Sequence, residues 1–358
     1  MQFGIQFFPD VGPTEKSAQD YFRDALTIAE EADRLGYVHV RTVEHYFTPY
    51  GGYSPNPLIF LTAIAMRTRR ARIITGALLP VFNNPLKLAG EIGMVDAISG
   101  GRLDVGFARA FLPHEFHRFG ISPDESIARY REGLEQIERL LTEENVSSEG
   151  QFHSFPPTTS LPRPTQQPRP KFFVASIASP DSFAFAGTKG YSVMAIPLTG
   201  AKMKELIAVY RQAWKEAGHP GQGEVLVAYH MVCHEDGATA RAIARDRLQA
   251  YLDSLVAAAS GWVEGVSSKD YPGYDKVIAG LKTTTMDSLI ASNAAWIGSP
   301  AEVRDGIARA QQDSGGFELA SLQVNFHTMQ LDHALASIRL FADKVMPHFA
   351  DPSARAVA

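Results

Sequence analysis

The chain has 358 residues, 45% hydrophobic and 20% charged, a globular composition with enough apolar residues to bury a sizeable core. Its formal net charge of −5 argues against nucleic-acid binding, which usually requires a basic surface. The single cysteine, Cys233, excludes an internal disulfide, and neither a long apolar run nor a signal-peptide pattern occurs, so we expect a cytoplasmic protein without a membrane partner.

Strand-like and helix-like patterns alternate along the chain. Eight apolar stretches have strand character: 2–8, 38–43, 72–79, 103–108, 171–177, 191–196, 224–233 and 319–326. The clearest helical patterns between and after them are 20–35, 58–68, 86–98, 127–141, 203–217 and 331–345. This alternation predicts a (β/α)₈ TIM barrel with insertions. An open doubly wound sheet is the alternative, but it usually carries an early Gly-rich phosphate loop, which this sequence lacks.

Two segments interrupt the alternation. Residues 145–170 are rich in proline and polar side chains, and residues 261–293 are polar and weakly periodic. Because the strand–helix pattern resumes after the first, we expect one domain over 1–350 with two insertions, followed by a flexible tail at 351–358. A long loop without its own structure at the active-site end of a barrel is often a lid, so 261–293 is predicted to be one, with a disordered surface insertion as the alternative.

Polar groups follow several predicted strands at the carboxyl end, where the active sites of such barrels form. These groups are Glu44, His45 and Tyr46 after the second strand, Arg109 after the fourth, and Ser176 and Ser179, with Ile177 between them, after the fifth. A histidine can transfer protons near neutral pH, although it can equally cap a strand end by hydrogen bonding. Glu44 is either a proton partner or a buried carboxylate paired with a basic group, and we slightly favour the second role.

Two anion-binding features stand at the same end. The Arg109 guanidinium suits phosphate oxygens, a surface ion pair being the alternative. The segment from Ser176 to Ser179 precedes a helix at Pro180 and offers hydroxyl and backbone donors. The His114-Glu115-Phe116-His117 stretch lacks the spacing of a zinc-protease helix, so we expect solvated loop histidines and no metal site there. A metal-dependent hydrolase is disfavoured, because the strand ends carry no convergent set of histidine and aspartate residues.

Five segments, in this order and spacing, resemble the bacterial luciferase family of flavin-dependent monooxygenases. They are EHYFT at 44–48, GRLDVG at 101–106, FAR at 107–109, FHRFG at 116–120 and LFADKVMP at 340–347. The similarity runs from residue 1 to about His348. It implies a (β/α)₈ barrel, reduced FMN delivered by a separate flavin reductase, dioxygen as co-substrate, a lid at 261–293 and a homodimer.

The implied reaction passes through a 4a-hydroperoxyflavin that oxidises a small organic substrate, for which aromatic residues such as Phe47 and Phe111 suggest an apolar pocket. Hydride transfer through a deazaflavin and flavin binding without turnover are the alternatives. The match around 44–47 disfavours the first alternative, and the presence of His45 disfavours the second.

The resemblance also assigns individual residues. His45 matches the histidine beside the flavin ring that luciferases need for activity, which favours a catalytic role. Gly76-Ala77 corresponds to a non-proline cis peptide under the ring, and Arg109 to a phosphate ligand.

The sequence departs from the luciferase pattern at several site positions. Tyr46 stands in place of a second histidine, Ala108 in place of a reactive cysteine near the flavin, and Ser176 in place of a glutamate. A second phosphate arginine is replaced by Ile127, with Arg129 nearby as a substitute. Because of these differences, light emission does not follow from the resemblance.

Overall fold

The computed structural model describes residues 1–350, so the tail expected at 351–358 lies outside the described residues. The strands are β1 Gln2–Phe7, β2 His39–Thr42, β3 Arg72–Leu78, β4 Leu103–Phe107, β5 Val146–Glu149, β6 Ser154–Thr158, β7 Lys171–Ser176, β8 Ser192–Ala195, β9 Val225–Cys233, β10 Ala295–Gly298 and β11 Leu319–Gln323. The helices are α1 Ala18–Leu35, α2 Pro57–Arg67, α3 Pro85–Ile98, α4 Pro113–Phe119, α5 Ser126–Thr142, α6 Pro180–Lys189, α7 Gly200–Glu216, α8 Gly237–Ala258, α9 Tyr274–Leu281, α10 Met286–Ala291, α11 Pro300–Ser314 and α12 Leu331–Lys344.

Eight parallel strands close into a barrel in the order β1-β2-β3-β4-β7-β8-β9-β11, and β11 pairs with β1 to complete the circle. These are the eight strands predicted from the sequence, and the (β/α)₈ fold is confirmed. Strand β10 was not predicted. It pairs with the second half of β9, beyond the part of β9 that pairs with β8.

Both predicted insertions contain regular structure. The 145–170 segment forms the antiparallel hairpin β5–β6. The 261–293 segment contains α9 and α10, so the expectation of a structureless loop is wrong. These short helices form because each buries an apolar anchor, Ile278 or Met286. A reciprocal capping pair of Thr285 and Ser288 also fixes the start of α10. The sequence periodicity is weak because only one or two residues of each helix face inward.

Several helices that follow a strand begin with the same two-residue capping motif. A capping Asn or Ser accepts a backbone N–H of the first turn, and proline occupies the first helical position: Asn56-Pro57, Asn84-Pro85, Ser179-Pro180 and Ser299-Pro300. Proline has no N–H to leave unpaired there, and its φ already suits a helix. These caps stop each loop at a defined residue and therefore fix where the strand-end side chains lie.

Apolar residues form two layers. The interior of the barrel is filled by a small cluster that includes Ile74, Phe173, Met194, Leu226 and Leu319. The larger cluster lies between the barrel and the surrounding helices. Among the helices of residues 1–350, none has the length and apolar character needed to span a bilayer.

A buried carboxylate joins α1 to the turn before β3. Asp33 accepts the backbone N–H groups of Arg69, Arg70 and Ala71 at 3.0, 3.0 and 2.7 Å. Burial raises the pKa of Asp33, but the three N–H donors outweigh this effect and leave the pKa below its usual value. The turn that aligns β3 beside β2 therefore depends on one ionised side chain.

We expect Asp33→Ala to lower the free energy of unfolding by about 2 kcal/mol, because three backbone N–H donors, that of Ala71 among them buried, lose a charged acceptor. Urea unfolding at pH 7 measures this change, and Asp343→Ala, at an exposed position, is the matched control. The pKa of Asp33 is lower in the folded protein than in the unfolded chain. The wild type should therefore have the larger free energy of unfolding at neutral pH, and the difference should shrink as the pH falls below about 4. Equal stabilities of wild type and variant at pH 7 would contradict this role.

Candidate functional site

Hydrogen bonds between neighbouring strand ends bring the predicted site residues onto one rim of the barrel. The N–H of Leu79, after β3, donates to Glu44 Oε2 at 3.0 Å, after β2. The N–H of Ala108, after β4, donates to the carbonyl of Leu78 at 2.8 Å. Strand β4 in turn pairs with β7, which ends at Ser176. The residues chosen from the sequence therefore lie on four consecutive strands of the barrel.

His45 is 7% exposed and is held by a buried carboxylate. Its Nδ1 lies 3.1 Å from Oε1 of Glu115 on α4, and the same oxygen accepts the N–H of Tyr46 at 2.8 Å. A carboxylate in this position accepts from a protonated Nδ1, which leaves Nε2 as the atom able to take up a proton. Oε2 of Glu115 is buried without a hydrogen-bond partner among residues 1–350.

The 114–117 segment is not the solvated loop that the sequence suggested. It lies on α4, which begins at Pro113 and packs its Glu115 side chain against the barrel rim. His114 is half-buried, with its ring nitrogens 3.0 Å from the carbonyl oxygens of Tyr46 and Ala258. Only His117 is exposed. The helix places an acidic residue beside His45 that the sequence reading had not included in the site.

Glu44 is buried and bound by three neutral donors rather than by the basic group that was expected. They are the Leu79 N–H, the Asn83 side-chain amide at 2.8 Å and the Tyr46 hydroxyl. Burial raises the pKa of Glu44 to about 7, an effect that these donors only partly offset. Tyr46, which replaces a luciferase histidine, thus contributes its hydroxyl to this carboxylate.

The peptide bond between Gly76 and Ala77 is cis, as the resemblance implied. Gly76 is half-buried, whereas Ala77 next to it is buried. A Cβ at Gly76 would lie 2.9 Å from Nε of Arg41, so only glycine fits over that side chain. Ala108 on the adjacent strand end is also small. Small residues therefore line this part of the rim.

Arg109 contacts the 261–293 segment. Its guanidinium donates to the carbonyl of Asp270 at 3.1 Å and lies 4.9 Å from the centre of the Tyr271 ring. The Asp270 carboxylate accepts the N–H of Ile127 at 2.9 Å. The Trp262 indole donates to the Phe111 carbonyl at 2.8 Å. These bonds fasten the segment over the loop that follows β4.

The Ser176–Ser179 loop is separate from Arg109. Ser176 and Ile177 are half-buried, and Ser179 caps α6 by accepting the N–H of Ser182 at 3.3 Å. No hydrogen bond joins this loop to Arg109 within the described part of the chain. Arg129, the possible second phosphate ligand, pairs with Glu125 at 2.8 Å and lies over the Phe152 ring.

Aromatic rings surround His45. The rings of Phe8, Tyr50 and Phe111 lie 5.5, 5.5 and 5.8 Å from the imidazole, centre to centre. Phe47, expected in the same pocket, is instead 54% exposed and packs on Phe119 outside it. Sequence reasoning identified Phe111 but missed Phe8 and Tyr50. The one sequence feature that could have identified them is their position near the ends of predicted strands.

The residues at the rim fit a flavin. Gly76, Ala77 and Ala108 give this part of the rim small side chains. Two buried polar atoms of the rim residues described above, Arg41 Nε and Glu115 Oε2, have no hydrogen-bond partner within residues 1–350 and are available to a bound polar group. Arg109 and the N-terminus of α6 offer donors to a phosphate.

We expect the free energy of unfolding to depend on pH through Glu44. Its folded pKa of about 7 lies above the ordinary value of 4.5, so the unfolded chain ionises first as the pH rises. The wild type should therefore lose about 3 kcal/mol of stability between pH 4.5 and 7 through this group, and Glu44→Gln should abolish that loss. Urea unfolding across this range tests it, with Glu205→Gln at an exposed position as the control. Identical pH slopes for wild type and Glu44→Gln would refute the assignment.

Comparison with known proteins agrees with this geometry. The model of the luciferase-like monooxygenase family matches residues 1–316. Monooxygenase RslO1 from Streptomyces bottropensis is 43% identical, with a TM-score of 0.87 over 98% of this chain and all of that one. The oxygenase component of flavin-dependent trigonelline monooxygenase from Acinetobacter baylyi is 26% identical over 98% of this chain and 96% of its own length.

More distant solved structures share the fold. The oxygenating constituent of 3,6-diketocamphane monooxygenase from Pseudomonas putida, solved with FMN, has a TM-score of 0.82 at 22% identity and covers 98% of this chain and 99% of its own. Two coenzyme F420-dependent enzymes have TM-scores of 0.69 and 0.73 at 20% and 16% identity. The family model matches most of the barrel, and the alignment with RslO1 covers 98% of this chain. This chain belongs to the luciferase-like monooxygenase family.

Proposed function

We propose that this protein binds reduced FMN at the barrel rim and uses dioxygen to oxygenate a small organic substrate. The observation that carries the proposal is His45, fixed by the buried Glu115 carboxylate on the same rim as the cis Gly76–Ala77 peptide. Bound reduced FMN would supply the two electrons for the reaction, in which one oxygen atom enters the substrate and the other leaves as water. The separate-component names of the trigonelline and diketocamphane relatives support a partner reductase that delivers the reduced flavin.

His45 handles protons in this proposal. With Nδ1 directed at Glu115, Nε2 can accept a proton from a reacting group and return it. Tilted or edge-on contacts with Phe8, Tyr50 and Phe111 restrict the plane of the imidazole. The ring is therefore positioned before substrate arrives, and Glu115 serves as its positioning residue. Glu44 holds the strand ends together and is a candidate second proton carrier.

Arg109 and the Ser176–Ser179 loop bind the phosphate of FMN in this proposal. Arg109 already lies at the rim, where the only hydrogen bond of its guanidinium within residues 1–350 is to the carbonyl of Asp270. A phosphate would give the guanidinium a charged acceptor, which is the stronger partner. Ser179 and the first N–H groups of α6 can add donors from the neighbouring strand end.

The 261–293 segment acts as a lid. Trp262 and Tyr271 donate to carbonyls of the loop that carries Phe111 and Ala110. In this closed position the segment shields the rim from bulk water, which favours controlled oxygen chemistry over loss of the reduced cofactor to solution. The same bonds must break for the substrate and flavin to enter, so lid opening is a step of the cycle.

The function is tested by mixing the protein with reduced FMN without oxygen and then admitting oxygen. We expect oxidised flavin to return more slowly than in free solution, because the closed site protects the bound cofactor. In His45→Ala the reoxidation should approach the rate of free flavin, while the affinity for reduced FMN stays close to that of the wild type. His117→Ala, an exposed histidine on α4, should behave as wild type.

Two results would oppose the proposal. Reoxidation by the wild-type protein at the rate of free FMN would count against an oxygenase. Equal losses of flavin affinity and of protection in His45→Ala would show that the histidine supports the structure rather than the chemistry. Incorporation of ¹⁸O from labelled dioxygen into a product identifies the reaction class once a substrate is known.

We also propose that two copies associate through the outer faces of α2 and α3. These neighbouring helices leave Ile59, Met66, Met94 and Ile98 exposed by 72, 71, 51 and 42%, next to the Lys87–Glu91 ion pair of α3. An exposed apolar patch rimmed by polar residues is typical of a protein–protein interface. A second copy offers the same apolar face and covers the patch in a symmetric, self-complementary interface.

We expect Met66→Glu to shift the protein from dimer to monomer, because the substitution places a charge in the proposed interface. Light scattering coupled to size-exclusion chromatography measures the mass. Val277→Glu, at an exposed apolar residue of α9, should leave the mass unchanged. A wild-type protein that is monomeric at micromolar concentration would exclude the dimer.

A further inference from the structure

Arg41 is a buried cation without a counter-ion. It lies in β2, is 6% exposed, and extends its side chain into the barrel interior. Its Nη1 contacts Met194 Sδ at 3.4 Å, and its Nε has no hydrogen-bond partner within residues 1–350. In the same part of the chain, no carboxylate lies within ion-pair distance of it. A thioether is a weak acceptor and does not compensate a guanidinium.

Two other partly buried arginines of the barrel show the contrast. Arg72 binds the Asp104 carboxylate through two nitrogens. Arg102 donates to the carbonyls of Ser99, Ala71 and Ala65 and to the Thr68 hydroxyl. The fold therefore satisfies these guanidiniums fully, and Arg41 differs from both of them.

The Arg41 side chain points toward the mouth of the barrel. In the pairing of β2 with β3, Arg41 lies opposite Ile74. Its Cγ, Cδ and Nε nevertheless lie against Gly76, two residues nearer the carboxyl ends of the strands. The guanidinium thus reaches the underside of the Gly76–Ala77 peptide on the rim that carries His45.

An unpaired buried charge is costly, and arginine cannot readily avoid the cost by losing its proton. Burial lowers the pKa of Arg41 to about 10, which leaves it cationic at neutral pH. A buried arginine without an internal partner is therefore suited to bind an anion that enters from outside the protein. The planar fork of the guanidinium matches an anion whose charge is shared between two atoms.

We propose that Arg41 pairs with an anion whose charge is shared between two acceptor atoms, such as a carboxylate, and which enters the barrel mouth beside Gly76. Two molecules can present this chemistry: the anionic edge of the reduced flavin ring, and an acidic group on the organic substrate. The first source rests on the proposed function. The second does not require flavin.

The flavin arm compares two cofactor states that carry the same phosphate. Oxidised and reduced FMN are titrated anaerobically into wild type, Arg41→Met and Arg41→Lys. If Arg41 pairs with the reduced ring, Arg41→Met lowers the ratio of the affinities for reduced and oxidised FMN about tenfold. This change is equivalent to about 30 mV in the midpoint potential of the bound couple. Arg41→Lys keeps the charge and retains part of the preference. Arg109→Met should weaken both states equally.

The substrate arm uses benzoate and benzamide, which have nearly the same shape but differ in charge. Binding is followed by quenching of intrinsic tryptophan fluorescence or by calorimetry. If Arg41 pairs with an acidic substrate, Arg41→Met weakens benzoate about tenfold, a typical effect of a charge-assisted hydrogen bond, and leaves benzamide unchanged. Thermal unfolding checks that each variant folds, and Arg41→Lys serves if Arg41→Met does not.

A loss confined to the flavin arm identifies the cofactor as the anion, and a loss confined to the benzoate arm identifies the substrate. Variants equal to wild type in both arms, or a wild type that prefers neither anion, would overturn the proposal. A wild type that binds no FMN in either state contradicts the proposed function, while the benzoate arm still decides the role of Arg41.

Discussion

Closure of the parallel sheet is the constraint on which the site depends. Because β8 pairs with β9 and β11 pairs with β1, every barrel strand has two neighbours and all carboxyl ends share one rim. Hydrogen bonds continue past the strands, from the Leu79 N–H to the Glu44 carboxylate and from the Ala108 N–H to the Leu78 carbonyl. Side chains separated by more than 60 residues in sequence, such as His45 and Ala108, thereby lie on the same rim, at the ends of two strands that flank β3.

Two buried carboxylates have different tasks at this rim. Glu44 binds neutral donors from β3 and from Tyr46, so it fixes the backbone. Glu115 binds the imidazole and the following backbone N–H, so it fixes a side chain. Both carboxylates are nearly inaccessible to water, and burial pushes Glu44 toward its neutral form. The three consecutive residues Glu44, His45 and Tyr46 thus combine a fixed strand end with a fixed imidazole.

The barrel could be predicted from the sequence because strands buried on both faces are continuous apolar runs, as in 72–79 and 103–108. The rim residues His45, Gly76 and Arg109 followed from their positions after those runs and from the family resemblance. Glu115 could not be predicted, because it lies on a short helix 70 residues after His45 and only the tertiary fold brings them together. Strand β10 was missed because four residues give too little periodicity.

The 261–293 insertion was predicted from its composition, but its two helices were not. Its helices depend on a few anchors, such as Ile278, whose burial exists only when the segment packs on the barrel. Arg41 was missed for a related reason: a charged residue inside a strand normally faces solvent, and its direction is decided by the pairing register. The sequence gives no sign that the side chain turns inward under Gly76.

Because the Arg41 side chain contacts Gly76, the residue at position 76 limits which residues position 41 can carry. A side chain at 76 would occupy the space of the guanidinium stem, so a barrel with a larger residue there must carry a shorter residue at 41. A homologue with a larger residue at 76 should therefore lack arginine at 41, whereas one with glycine at 76 can carry arginine or a shorter residue there. The pair then serves as a two-residue marker that divides related barrels into those that can hold a cation under the rim and those that cannot.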